Sequence, residues 1–505
     1  LNEFILSIDI GAGSMRAGAL KPDGTVFAIA VAPLAVDEPE PGWAEIEPEL
    51  WWQALATVVG RVMRKVPRSG RVLGISLAGL TRTQVLLDRD GNPLAPAILF
   101  RDRRAADEAE AIARHFPSGN PAEAVSVFHP LARLAWVAQR RPALFARLER
   151  VLEPKDYLNF RLTGVAAADS ITASRLDALG PRRRGLPAWV ERCLELLELR
   201  RVAPWEQLGR VTAGEAPFER LAGVPVFAGA MDAWATAVGS GAIAPGQAFD
   251  IAGTSEVVGV LTRARVSVRG LVSLRWSEGA YQIGGPTQAG ADCAQWCHAA
   301  FRLRGRMAQA VERVGKRLPS ADRPIFLPYL AGERTPVWRA DARGAFHNLG
   351  RTSGPDDFLW AVMEGVAMAA RDIVETAVDG SGETVAELRV SGGGARSDAW
   401  CQMKADVLGL PVLRAAEQET GVTGAAIAAS VGLGLYASLS DATAAMVRVG
   451  RQFLPRAPVA AFFDERARLY RRVKQAALDL ADARATPPVG SMRGTDRNAG
   501  DRLLP

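Results

Sequence analysis

The chain has 505 residues, 48% of them hydrophobic and 23% charged, and single cores stop growing at roughly 250–300 residues, so two globular units of similar size are expected. Its 61 Lys+Arg against 55 Asp+Glu leave a net charge of +6, a mild excess that suits an anionic small ligand, while no basic run is interleaved with aromatics, which speaks against nucleic acid. Four cysteines without a Cys-x-x-Cys pair and four scattered histidines exclude a zinc ribbon, a disulfide framework and a histidine triad, so any chemistry rests on carboxylates, hydroxyls and backbone amides.

In chain order, residues 1–10 are apolar but lack a basic flank and a cleavage site, so they are not read as a signal peptide. Residues 4–10 predict a strand, Gly11-Ala12-Gly13-Ser14 a turn, 15–20 a second strand, Pro22-Asp23-Gly24 a turn and 26–31 a third strand. The glycine turns of Rossmann and P-loop sites lead into a helix. Here the turn leads into another strand, and no Gly-Lys-Ser/Thr run exists, so both folds are disfavoured. Helices are predicted at 49–64, 104–114, 131–139 and 143–152, with a strand at 72–77. Arg182-Arg183-Arg184 reads as a solvated turn. Residues 228–241 (AGAMDAWATAVGSG) place Asp232, the only charged residue between Arg220 and Asp250, at the start of a small-residue helix. Strand-like segments run from 251 to 282, and helices follow at 293–302, 307–314 and 358–376. Residues 388–390 predict a strand, 391–394 a glycine turn and 397–408 a helix. The uncharged stretch 421–440 is too rich in Gly, Ala and Ser to insert well into a membrane and reads as a tightly packed buried helix. Residues 485–505 read as a loose tail. No membrane association is expected, and the chain reads as soluble and cytoplasmic.

Two segments about half a chain apart resemble one another. Residues 9–20 read DIGAGSMRAGAL and 250–261 read DIAGTSEVVGVL, with Asp9/Asp250, Ile10/Ile251, Ser14/Ser255, Gly18/Gly259 and Leu20/Leu261 coinciding. This suggests two copies of one domain type across a cleft, where small ligands usually bind. The turn at Gly11, Gly13 and Ser14, with Arg16 beyond it, can bring backbone N–H groups to phosphate oxygens. Asp9 fits there if Mg²⁺ stands between carboxylate and phosphate; otherwise the segment is a tight hairpin. Gly253, Thr254 and Ser255 offer a glycine amide and two hydroxyls, as a phosphate clamp or as a self-bonded turn. The run 389–396 (RVSGGGAR) offers either a flat backbone for adenine or a turn needing positive φ. Asp232 is either a helix cap or a base for a substrate hydroxyl.

Together these segments resemble the FGGY carbohydrate kinases of the actin-like, two-domain ATPase superfamily. The similarity runs from Phe4 to about Leu480 and includes GWAEIEPELWW (42–52), ILFRDRR (98–104), EPKDYLNFRLTG (153–164), LPYLAGERTPVWRADARGAF (327–346), MEGVAMAARD (363–372), SGGGARSDAWCQMKADVLGLPV (391–412) and ETGVTGAAIAA (419–429). The resemblance implies an α/β chain of two actin-like (ribonuclease H-like) domains with a central cleft. Residues 1–245 would bind the sugar, 246–484 the nucleotide, and 485–505 would form the tail. It implies ATP and Mg²⁺, with Asp232 as catalytic base, Asp9 holding the metal through water, and Gly11, Gly13, Ser14, Arg16, Gly253, Thr254 and Ser255 around the phosphates. Gly393, Gly394 and Ala395 would lie under adenine. A homodimer is a further expectation. The implied acceptor is a small sugar or polyol, a ketopentose such as xylulose first, with erythritol, ribitol or gluconate as alternatives and a non-catalytic ATP switch behind them. Ala12 stands where the family usually has Thr, Arg339 where it often has Asp, and Phe100 where Trp is common. The run 78–84 (AGLTRTQ) lacks the Gln-Met-His-Gly of xylulokinases. Thr81, Arg82 and Asp102 are the candidate hydroxyl contacts.

Overall fold

A computed structural model describes residues 3–180, 185–212, 214 and 216–485; the arginine run 182–184 and the expected tail beyond residue 485 lie outside them. The chain opens on β1 (Glu3–Ile10), β2 (Ser14–Leu20) and β3 (Val26–Pro33), an antiparallel meander. Helix α1 (Pro48–Lys65) carries Pro at its start, Glu49 in its first turn and Arg64 and Lys65 in its last, which matches the helix dipole. Its buried Trp51, Leu55, Val58 and Val62 recur at helical spacing and pack on the meander. Then come β4 (Arg71–Gly79), α2 (Pro154–Thr163), β5 (Gln207–Arg210), β6 (Pro225–Phe227) and α3 (Asp232–Ser240).

The second half repeats this plan. It contains β7 (Gln247–Ala252), β8 (Glu256–Thr262), β9 (Val272–Ser277), β10 (Ala280–Pro286), α4 (Ala291–Ala300) and α5 (Pro355–Ser381). It continues with β11 (Glu387–Ser391), α6 (Asp398–Leu408), β12 (Val412–Ala415), α7 (Thr420–Gly432) and β13 (Val449–Phe453). The first sheet has the order β3-β2-β1-β4-β6-β5 and the second β9-β10-β8-β7-β11-β12-β13. In each, an antiparallel hairpin joins through its first strand to two parallel strands, β1-β4-β6 and β7-β11-β12. The second sheet adds β9 at its meander edge.

The repeat therefore stands, but its register changes halfway round the hairpin. Asp9 pairs with Arg16, whereas Asp250 pairs with Val258 and Ile251 with Val257. Gly11 N–H bonds to Ser14 O, and Gly253 N–H to Ser255 O. The second turn is one residue shorter. The matched positions on the return strands, Gly18/Gly259 and Leu20/Leu261, correspond in space, but the match of Asp9 with Asp250 is off by one and is corrected here: the counterpart of Asp9 is Ile251. A one-residue shift in a strand turns a side chain to the other face. Ile8 and Ile10 face α1, and Ala248 packs with Ala370 and Ile373 of α5. Asp9 thus lies on the cleft face of its sheet and Asp250 on the outer face of the other.

Helices α3 and α7 cross between the sheets. Helix α3 follows the first sheet yet packs on β7 and β11, and α7 follows the second yet packs on β1 and β4. They meet almost backbone to backbone. A Cβ on Gly424 would fall 1.8 Å from Ala235 O, and one on Gly239 would fall 1.9 Å from Thr420 O. The small-residue stretch is thereby explained as a close helix contact, although the helix ends at Gly432 rather than 440, at a turn where Gly434 has φ +72. Gly424→Ala is expected to force α3 and α7 apart and destabilise the protein by roughly 1–3 kcal/mol or more, seen as a lower denaturant midpoint.

One predicted helix is corrected. Residues 143–152 split into a helix, Pro142–Arg147, and a strand, Arg150–Leu152, antiparallel to Val85–Leu87. Leu148 is extended (φ −74, ψ 120), and burial of Val151 and Leu152 in the paired strand outweighs their place in a helical pattern.

Candidate active site

Three backbone turns and two carboxylates gather at the ends of β1, β7 and β11. The first turn is held by Gly11 N–H on Ser14 O (2.9 Å) and Leu34 N–H on Gly13 O (3.0 Å), and a Cβ on Gly13 would meet nothing within 4 Å. In the second, Gly253 O and Thr254 O accept the N–H groups of Ala291 and Asp292 (3.1 Å each), which ties this turn to the start of α4. In the third, Gly392 has φ +84 and its absent Cβ would sit 2.6 Å from Ala252 O, so the positive-φ reading holds there and seats this turn against the end of β7. Gly393 faces open space. Gly394, Ala395 and Arg396 form a single 3-10 turn. The Ala395 side chain is buried, and its carbonyl accepts Arg414 Nη1 (2.7 Å). Glu419 links the first and third turns, with Arg16 Nε at 3.1 Å and Arg396 Nη2 at 3.9 Å.

Asp9 stands beneath these turns. A Cβ on Gly421, in the first turn of α7, would lie 2.4 Å from Asp9 Oδ2, so only glycine admits the carboxylate there. Asp9 Oδ1 is buried and has no hydrogen-bond partner among the described residues. Burial, then the charge of Asp232, push its pKa up to about 7, with Arg16 pulling the other way. Asp250 shows the contrast. It and Glu256 share the buried Lys404 ammonium, which lies 2.6 Å from Glu256. One half of the repeat neutralises its carboxylate, and the other leaves it open to the cleft.

Asp232 is the first residue of α3. It is not the cap, because Met231 occupies that position. Its Oδ1 accepts the N–H of Ala233 (2.7 Å). Burial lifts its pKa to about 6; the Ala233 bond and Arg175 oppose this, and Glu153 adds to it. Glu153 Oε1 accepts both Arg82 N–H (2.8 Å) and Arg175 Nη2 (2.6 Å). Arg82 and Arg175 open onto a narrow cleft between the halves, with Ser126 and His129 from one side and Ser273 and Trp338 from the other.

Of the other two predicted acceptor contacts, Thr81 is half-buried beside Arg82. Asp102 is fully buried and does not line this pocket. Its Oδ2 accepts Ala44 N–H (2.7 Å) and Arg104 Nη2 (2.7 Å), and its Oδ1 accepts Arg104 Nε (2.9 Å). Arg104 in turn lies 3.7 Å over the Trp43 ring. Asp102 anchors that arginine. Sequence reasoning did not single out Glu153, His129, Arg175, Glu419 or Lys404. Glu153 and Glu419 open quoted segments, which is a usable signal; Arg175 lies in a run without any motif.

Residues 4–239 match the N-terminal domain of the FGGY family of carbohydrate kinases, and residues 249–433 match its C-terminal domain. This chain belongs to the FGGY family of carbohydrate kinases. An FGGY relative from Escherichia coli strain K12, a xylulose kinase, is 30% identical over 94% of this chain and 99% of its own length. A glycerol kinase from Citrifermentans bemidjiense is also 30% identical, over 90% of this chain and 94% of its own. The solved xylulose kinase from Rhodospirillum rubrum superposes with a TM-score of 0.84 at 27% identity, covering 95% of this chain and all of that one. The paired sheets are thus the FGGY two-domain fold, and the chain is a sugar or polyol kinase. Among the described residues, no helix is long and apolar enough to cross a membrane.

Proposed function

We propose that this kinase transfers the γ-phosphoryl group of ATP to a terminal hydroxyl of a small sugar or polyol lying beside Asp232. The observation that carries the proposal is the placement of Asp232, with its raised pKa, next to Asp9 under the three turns. The acceptor oxygen attacks the γ-phosphorus, the bond to the ADP oxygen breaks, and the hydroxyl proton passes to the Asp232 carboxylate. The turns at Gly11, Gly13 and Ser14 and at Gly253, Thr254 and Ser255 would hold the outer phosphates, with Arg16 steadied by Glu419. Gly393 and Gly394 would support adenine, Ala395 through its backbone only.

Mg²⁺ fits the cleft, because Asp9 offers a buried oxygen without a partner and that ion takes one or two carboxylates with phosphates and waters. When bound, it would neutralise charge on the transferred phosphoryl group. Residues 1–245 and 246–484 would act as the acceptor and nucleotide domains. The first sheet ends at Phe227 and the second begins at Gln247, in keeping with that division. Closure of the halves would exclude water.

Relatives named for xylulose and for glycerol both reach 30% identity. A ketopentose such as xylulose is the first acceptor to test, then erythritol, ribitol and gluconate, by coupled ADP release. An ATP switch would show no stimulation by any of them. The Asp232 charge, after burial, raises the Asp9 carboxyl, and burial raises Asp232. Activity is expected to be flat above pH 7 and to fall as pH drops through about 7 to 6, where the base takes up its proton. A pH profile of kcat/KM with the limb near pH 4 would contradict the burial of the pair.

A further inference from the structure

The pocket lined by Arg82 and Arg175 holds more positive charge than a neutral sugar needs. Arg82, Arg133, Arg175 and Arg334 lie close enough for each of the other three to act on Arg82. Arg175 is bonded to Glu153 and to Thr172 O (2.8 Å). Arg133 reaches Arg82 O and Gln84 Oε1 (3.3 Å), and Arg334 reaches Thr287 O (2.7 Å). Arg82 differs. Its N–H donates to Glu153 and its carbonyl accepts from Arg133, but its guanidinium has no partner among the described residues.

The backbone of Arg82 is held at φ +56, a conformation uncommon for residues other than glycine, and Trp338 across the pocket is at φ +54. The two bonds to Glu153 and Arg133 fix that conformation and present the side chain to the pocket. Two further donors lie beside it. His129 Nδ1 accepts Leu131 N–H (3.1 Å), which leaves the proton on Nε2, and burial with three neighbouring arginines lowers its pKa to about 3, so the ring is neutral. The buried Ser273 hydroxyl has no partner among the described residues. The carboxylates nearby are Glu153, already bonded to Arg82 N–H and Arg175, Glu123 on the pocket wall, whose pKa burial raises against the opposing charge of Arg265, and Asp232 at the reaction centre.

We infer that the acceptor is a sugar acid, its carboxylate received by Arg82 with the His129 and Ser273 donors beside it, and its far hydroxyl lying at Asp232. A planar guanidinium pairs two-pronged with a carboxylate, and such a pair would add a directly bonded partner to a guanidinium whose one nearby countercharge, Glu153, is shared with Arg175. A neutral ketose would leave it unpaired. The inference rests on the kinase reading above and narrows it.

The test compares xylonate with xylitol and xylulose, and gluconate with glucitol, by coupled ADP release on the full chain. The acids are expected to exceed their alditols roughly 10- to 100-fold in kcat/KM, as a charge-assisted bond predicts. Arg82→Gln is expected to lower kcat/KM for the acids far more than for the alditols and so remove that preference, and Arg82→Lys to keep part of it. With nucleotide-free protein, the acids and not the alditols are expected to raise the thermal midpoint, and Arg82→Gln to abolish the shift. Preference for xylulose or an alditol over the acid, or an equal loss for both in Arg82→Gln, overturns the inference and leaves the kinase reading standing. ADP release that no acceptor stimulates, without an acid-dependent thermal shift, overturns both.

Discussion

Asp232→Asn is expected to lower kcat for the best acceptor by roughly 10²- to 10⁴-fold, the range for loss of a positioned general base, with little change in ATP affinity. The amide matches the carboxylate in shape and keeps an oxygen for Ala233 N–H, now 2.7 Å from Oδ1, so α3 should start unchanged. What is lost is the ability to take a proton. The turns proposed for the phosphates lie at the ends of β1, β7 and β11 and, among the described residues, make no hydrogen bond to Asp232, which is why nucleotide binding should survive. A second effect follows from charge. Asp232 is the second-largest contribution raising Asp9, so removing it should move the remaining acid limb of the pH profile downward. Calorimetric titration with ATP and a pH series of steady-state rates would check both. Near-normal turnover in this variant would sink the assignment of the base.

Much of this was readable before any coordinates. The three opening strands, α1 and the helix at Asp398–Leu408 follow directly from period-2 and period-3.6 patterns with turn residues between. Asp232 stands out in the sequence because it is alone in an uncharged stretch. What failed were properties that depend on partners distant in sequence. Residues 150–152 form a strand because residues 85–87 need one. Asp102 looked like a loop contact because nothing local shows Arg104 and Ala44 closing on it. The repeat was visible, but aligning letters could not reveal that the second turn is one residue shorter. That single residue decides which aspartate reaches the cleft. The pocket between the halves is least visible of all, since Arg82, His129, Arg175 and Ser273 come from four separate segments and only folding assembles them.

The same register shift makes Asp9 the other residue of large effect. Asp9→Asn is expected to lower kcat by at least about 10²-fold, the scale at which a single electrostatic group acts in such sites, and to make the protein more stable without ligand. Among the described residues Asp9 has no counterpart to Lys404: its Oδ1 is buried without a partner and its pKa is raised to about 7. A carboxyl raised in the folded state binds its proton more tightly folded than unfolded, so its ionisation penalises the fold. The penalty is absent below the unfolded value near 3.8, grows as pH rises, and is complete above about 7. Asparagine removes it. The variant should match the parent at pH 4 and exceed it at pH 8 by roughly 1–3 kcal/mol, the cost of an unsatisfied buried group. Denaturant melts at the two pH values measure this without substrate. Equal stability at pH 8 would mean that the carboxylate is already satisfied in the free protein and is not held open for a cation. Loss of activity together with a gain in stability is the signature of a strained functional site, and Asp250, already bonded to Lys404, should show the opposite: Asp250→Asn is expected to cost stability, because it breaks a buried ion pair and leaves part of the ammonium uncompensated.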